Sequence, residues 1–135
     1  MAKRIVILLL VLFLSSCATT MPEKKGLESS LRNSAEKYWQ IRLNGNLEEL
    51  YEMEYREDLP PLDKYKVEAG LIRKNIITKY SVKDIIVEGN RGTVYIEFLI
   101  TIPPVPQPFK QTLIDRWIWD KGWRHILNPR KVKEG

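Results

Sequence analysis

Cysteine and histidine are almost missing from this chain: 135 residues contain one of each, Cys17 and His125. With a single thiol, no disulfide can close within the chain and no cysteine-based metal site can form. A lone histidine leaves no histidine pair at metal-ligand spacing, so neither a metal nor another cofactor is expected. Long apolar runs are scarce as well. The one substantial run, Ile5 to Leu14, would span about 15 Å as a helix, half of a bilayer core, which is too short for a stable transmembrane span. No phosphate-cradling loop, Ser–His–Asp arrangement or paired-carboxylate motif stands out. Charge of one sign is weak too. The net charge is +5, and Lys3 and Arg4 supply two of those charges near the N-terminus. The other basic residues are interleaved with acids such as Glu48, Glu49, Glu52, Glu54, Glu57 and Asp58. A nucleic-acid binder needs a basic stripe, and none is present.

What remains is ordinary globular material, 44% hydrophobic and 29% charged, in a length that suits one domain. A compact core is therefore expected. The small basic cluster Arg130, Lys131 and Lys133 reads as a solvated tail over 130–135. Contact with anionic headgroups is the sharper alternative for it.

The N-terminus carries an address. Lys3 and Arg4 form a positive segment, the apolar run follows, and Leu14-Ser15-Ser16-Cys17 closes it. This order is that of a secretory signal. Its end resembles the lipobox of bacterial lipoproteins, a branched apolar residue, two small residues, then cysteine. The resemblance implies cleavage after residue 16 and a lipid on Cys17, with two acyl chains sufficient for stable anchoring. It also implies a palmitate-bearing lipoprotein facing the periplasm. Ala18 follows the cysteine where an aspartate would favour the inner membrane, so the resemblance points to the outer membrane. Residues 17–26 include Thr19, Thr20, Pro22, Lys24 and Lys25 and read as a tether.

The domain is expected over 27–129. Leu31, Ala35, Tyr38, Trp39 and Ile41 recur mostly at three- and four-residue spacing, which predicts a helix over 28–44 with Ser29 or Ser30 as its cap. Gly45 suits its C-terminal stop. Asn46 and Glu49 predict a capped second helix, with Leu47, Leu50 and Tyr51 on its apolar face. Pro60-Pro61 breaks the chain. A third helix follows, capped by Asp63 and running to Ala69 or Ile72. From Ile76 the period changes to two. Strands are predicted over 76–88 with an irregularity near Ser81, over 93–102, over 110–119 and over 123–127. The turn at Asp120-Lys121-Gly122 joins the last two. The fold class is therefore α+β, N-terminal helices packed on a curved antiparallel sheet of about four strands.

Two stretches carry a further resemblance. Ala35 to Tyr51 runs Ala-Glu-Lys-Tyr-Trp-Gln-Ile-Arg-Leu-Asn-Gly-Asn-Leu-Glu-Glu-Leu-Tyr, and Arg116 to Ile126 runs Arg-Trp-Ile-Trp-Asp-Lys-Gly-Trp-Arg-His-Ile. Both resemble the nuclear-transport-factor-2-like superfamily, the SnoaL-like and cystatin-like cones in which a long helix packs into a curved sheet. The resemblance implies a cone whose interior holds a ligand or an Asp/His pair. Trp39, Tyr38, Trp117, Trp119, Trp123 and His125 are accordingly the candidate ligand-binding residues. His125 and Asp115 are the candidate catalytic pair, with Glu97 a further carboxylate near them by strand position. Arg116 and Arg124 are expected to pair with Asp115 or Asp120, or to stack on the indoles. The leading expectation is a non-enzymatic envelope lipoprotein that binds a small apolar ligand or a protein partner. An isomerase- or dehydratase-type enzyme and a structural homodimer are the alternatives.

Overall fold

The computed structural model describes residues 22–57, 59–70 and 76–127. The signal expected over 1–16, Cys17, Ala18, Ile72 and the tail expected over 130–135 lie outside the described residues. Among the described residues no helix is long and apolar enough to cross a membrane.

Three helices precede four strands. Helix α1 spans Lys24–Asn44 and buries Leu27, Leu31, Ala35, Tyr38, Trp39 and Ile41, the expected stripe extended by one turn at its start. It begins earlier than its sequence pattern suggested, and its flanking residue is Glu23, which makes no side-chain cap. Neither Ser29 nor Ser30 is the cap. Ser30 instead donates to the Leu27 carbonyl and accepts the Trp123 indole N–H, so its hydroxyl serves packing rather than helix initiation. Helix α1 also takes in Lys24 to Gly26, residues expected to belong to a tether over 17–26. Gly45 ends the helix at φ 82°, a left-handed conformation that glycine adopts without a Cβ penalty.

Helix α2 covers Leu47–Glu52. Its cap is the expected one: the Asn46 side chain accepts from the Glu49 N–H and donates to the Glu49 carboxylate. Helix α3 covers Leu62–Ala69 and starts after Pro61, not at Asp63. Proline suits that entrance because its fixed φ and missing N–H cost nothing there, and Asp63 falls into the first turn, where its charge favours the dipole.

The strands are β1 (Ile77–Glu88), β2 (Arg91–Ile100), β3 (Phe109–Trp119) and β4 (Trp123–His125). They pair antiparallel in sequence order. Bulges at Ile77/Lys79 and Val82/Asp84 bracket Ser81. Along β2 the inner residues Gly92, Val94, Ile96 and Phe98 are all buried, while their neighbours are only half-buried. Strand β2 stops at Ile100, and Ile102 beyond it is exposed.

Helix α1 crosses the inner face. Its first turn is tied to β4, where the Trp123 indole donates to the Leu27 carbonyl at 3.2 Å. Further along, Arg32 donates to the Val82 carbonyl and the Tyr80 hydroxyl donates to the Glu36 carbonyl. Trp39 meets Phe98 edge to face at 4.6 Å. Where α1 passes β2, a side chain would obstruct it. A Cβ on Gly92 would collide with the Leu31 side chain and lie 3.1 Å from the Trp123 ring. Gly92→Ala is therefore expected to destabilise by about 1–3 kcal/mol, read as a lower denaturation midpoint at unchanged slope.

The helices do not cover the whole sheet. Residues Phe109 to Ile114 of β3 are exposed on both faces.

Candidate functional site

Chain topology brings five segments to one point inside the cone. Helix α1 contributes Tyr38, Trp39 and Arg42, α3 contributes Tyr65, and β3 contributes Asp115 and Trp117. Strand β4 contributes His125, which pairs across β3 with Trp117. The segment after α2 supplies Glu54. It is placed by a short parallel bridge to β4, in which the His125 N–H donates to the Met53 carbonyl and the Tyr55 N–H donates to the His125 carbonyl.

The side chains form a closed chain of contacts. Glu54 Oε2 lies 2.7 Å from His125 Nδ1, and Asp115 Oδ1 lies 3.4 Å from His125 Nε2. The other oxygens are also taken. Glu54 Oε1 accepts from the Tyr38 hydroxyl at 2.5 Å and from the Tyr65 hydroxyl at 2.9 Å. Asp115 Oδ2 accepts from the Trp39 indole at 2.7 Å. The Tyr38 oxygen in turn accepts from Arg42 at 3.3 Å. Arg42 also stands over the Trp39 ring, 5.0 Å from its centroid. Glu54, Asp115 and His125 are 2%, 5% and 5% exposed, so all three ionisable groups are sealed.

Burial alone would push His125 below its ordinary value, because a cation loses hydration. The attraction of Glu54 and the hydrogen bonds to Asp115 and Glu54 overcome that and raise it to about 9. At neutral pH His125 is an imidazolium whose Nδ1 donates to Glu54 and whose Nε2 is in ionic contact with Asp115. Two carboxylates, one imidazolium and the nearby Arg42 guanidinium leave the cluster close to neutral. Tyr38 is held well above the ordinary phenol range, first by burial and then by the Glu54 charge, so it remains a hydroxyl donor.

Aromatic rings close what the polar contacts leave open. Tyr38 stacks on the His125 ring at 4.2 Å, and Trp117 meets it edge to face at 5.2 Å. Glu54 and Asp115 approach opposite ring nitrogens and do not converge on one point. Among the described residues no group of three His, Cys, Asp or Glu side chains is placed to hold a metal ion.

The candidate residues from sequence fall into three groups. His125 and Asp115 are brought into contact, and Trp39, Tyr38 and Trp117 surround them. Trp119 and Trp123 pack on each other at 5.5 Å toward the hairpin, away from this cluster. Glu97 is not a partner of His125. It lies on the other face of β2, with Lys83 and Lys110 against it. The two arginines also differ from expectation: Arg116 donates to the Thr93 hydroxyl, and Arg124 donates to the Glu52 carbonyl. Thr93 lies directly across from Arg116, whereas Asp115 is turned inward. Glu54, the central acid, was missed because a three-residue bridge has no period to read.

A different surface carries most of the exposed large apolar side chains. Ile102, Val105, Phe109, Leu113 and Ile114 are between 39% and 50% exposed and lie in one stretch of chain. Inner-face Leu113 pairs with Ile96, and Phe109 pairs with Ile100. Trp39 touches both Phe98 and Asp115, so it spans the diagonal that Leu113 borders.

No family model matches the chain, and no curated protein matches it. Solved structures do resemble it. A Campylobacter jejuni protein whose structure was named as that of a "Putative NTF2-like transpeptidase" superposes with a TM-score of 0.52 at 9% identity, over 71% of this chain and 96% of that one. TsrD from Streptomyces laurentii gives 0.49 at 16% identity, over 79% and 87%. A de novo designed NTF2 fold protein gives 0.44 at 15% identity, over 76% and 88%. The first of these, together with helices followed by a curved four-stranded antiparallel sheet, identifies the domain as having the NTF2-like fold.

Proposed function

We propose that this chain is a lipid-anchored binding module of the bacterial envelope rather than an acid–base enzyme. One observation carries the non-catalytic part: both ring nitrogens of His125 rest on carboxylates while Tyr38 stacks on the ring. A general base must be neutral at its working pH and must reach its substrate directly or through one water. His125 meets neither requirement. An isomerase or dehydratase using His125 and Asp115 therefore has no free base. The binding surface is instead the exposed apolar stretch around Phe109, Leu113 and Ile114, which suits a small apolar ligand or a protein partner.

The anchor rests on Leu14-Ser15-Ser16-Cys17 with its charged and apolar flanks. Ala18 favours the outer membrane, with the domain facing the periplasm. Mass spectrometry of the protein from its native membrane is expected to show an N-terminal Cys17 carrying acyl mass, and Cys17→Ser is expected to lose it. An unacylated mature N-terminus would end the anchoring proposal. For the surface, a photo-crosslinking residue at position 113 is expected to form an adduct in native membranes, and one at exposed Val67 on α3 is not. Absence of any adduct at 113 would remove the binding role of this stretch.

A further inference from the structure

We propose that β3 is a self-pairing edge, and that two copies of this chain join through it into one continuous antiparallel sheet centred on Thr112. The inference takes up the apolar strand surface of the preceding reading but does not need the lipid anchor.

Strand β4 pairs with β3 only at Trp117–Trp119. Among the described residues no strand pairs with that side of β3 from Phe109 to Asp115. The direction of the backbone groups is fixed by one bond: the Ile126 N–H donates to the Arg116 carbonyl at 2.8 Å. Backbone groups alternate sides along a strand, so Lys110, Thr112 and Ile114 point their N–H and C=O the same way, to the open side.

Among the described residues, the other edge of the sheet is protected and this one is not. Strand β1 carries two bulges, the exposed Lys79, and a contact from α1, where Arg32 donates to the Val82 carbonyl. These are the devices that stop edges from pairing. The exposed part of β3 keeps its regular ladder with β2 and contains no proline. It is apolar on both faces, through Phe109 and Leu113 inside and Ile114 outside. Its one charged guard, Lys110, is drawn across the sheet face to Glu97 at 3.8 Å.

Self-pairing also selects a register. A twofold axis perpendicular to the sheet keeps inner faces inner, so odd residues meet odd and even meet even. Centring on Leu113 would place Lys110 against Arg116 of the other copy, two like charges directly opposed. Centring on Gln111 would place Ile114 against Pro108, which has no N–H to give. Centring on Thr112 avoids both faults. Thr112 meets Thr112, each Lys110 meets Ile114, and every outward-pointing backbone group in that span finds a partner.

Single cysteines in full-length chain carrying Cys17→Ser, purified in detergent, test this. Thr112→Cys is expected to oxidise largely to a disulfide-linked dimer, because hydrogen-bonded cross-strand pairs lie about 5.5 Å apart between Cα atoms. Lys110→Cys and Ile114→Cys are each expected to stay monomeric alone and to cross-link when mixed. Lys79→Cys on the protected edge is expected to stay monomeric. Cross-linking at Leu113→Cys in place of Thr112→Cys would overturn the register. Monomers by sedimentation for wild type, with no Thr112→Cys dimer, would overturn the interface. If the position-113 photo-adduct still forms in that case, the stretch binds something other than its own copy, and only this inference falls.

Discussion

Glu54→Ala is expected to lower the unfolding midpoint by roughly 15–30 °C. The reasoning follows from what the carboxylate holds. It accepts from Tyr38, Tyr65 and His125, all inside the core. Alanine removes the acceptor and leaves an imidazolium beside two hydroxyls that have lost their partner. Breaking a buried ion pair from one side costs about 3–5 kcal/mol. Glu54→Gln keeps a carbonyl acceptor for the tyrosines but removes the charge and turns an amide NH2 toward His125, so it is expected to cost less than alanine. Thermal and denaturant unfolding of the two variants separates the contributions. Equal, small losses in both would mean that the network adds little to stability.

Raising the pH from about 6.5 to about 9 is expected to cost roughly 3 kcal/mol of folding stability. Burial opposes the charge on His125, but Glu54 and Asp115 outweigh it, so the folded histidine binds its proton more tightly than the unfolded one. Stability from that proton is fully present below the unfolded value near 6.5 and is lost as pH rises through the folded value near 9. No other histidine exists to blur the transition. Denaturant midpoints across this range provide the measurement, and Glu54→Gln is expected to flatten the profile by lowering the folded value. A flat wild-type profile would show that His125 is neutral in the folded protein.

The parts of this fold that were legible in the sequence are those with a repeat to count. Leu31, Ala35, Tyr38 and Trp39 mark α1 because a helix brings every third or fourth residue to one side, and Val94, Ile96 and Phe98 mark β2 because a strand alternates. The placement of His125 on the inner face follows from the same alternation with Trp123. Glu54 could not be found this way. Its position depends on a bridge between segments 71 residues apart, and a glutamate after an acidic helix looks solvated. Tyr65 was visible only as an aromatic on a helix, and its hydroxyl has a role only once Glu54 is placed. The open edge of β3 is likewise a property of the paired sheet. It depends on how far β4 runs, which local composition does not set.

The first turn of α1 is tied to Trp123, beside the β3–β4 hairpin, and β3 then runs the length of the domain to Phe109. Eleven strand residues cover about 35 Å. Were Cys17 to carry the proposed lipid, the start of α1 and the hairpin would stand at the anchored end and Phe109 at the far end of β3. In the antiparallel pair proposed above, the hairpin ends of the two copies would point in opposite directions, away from the shared Phe109 end.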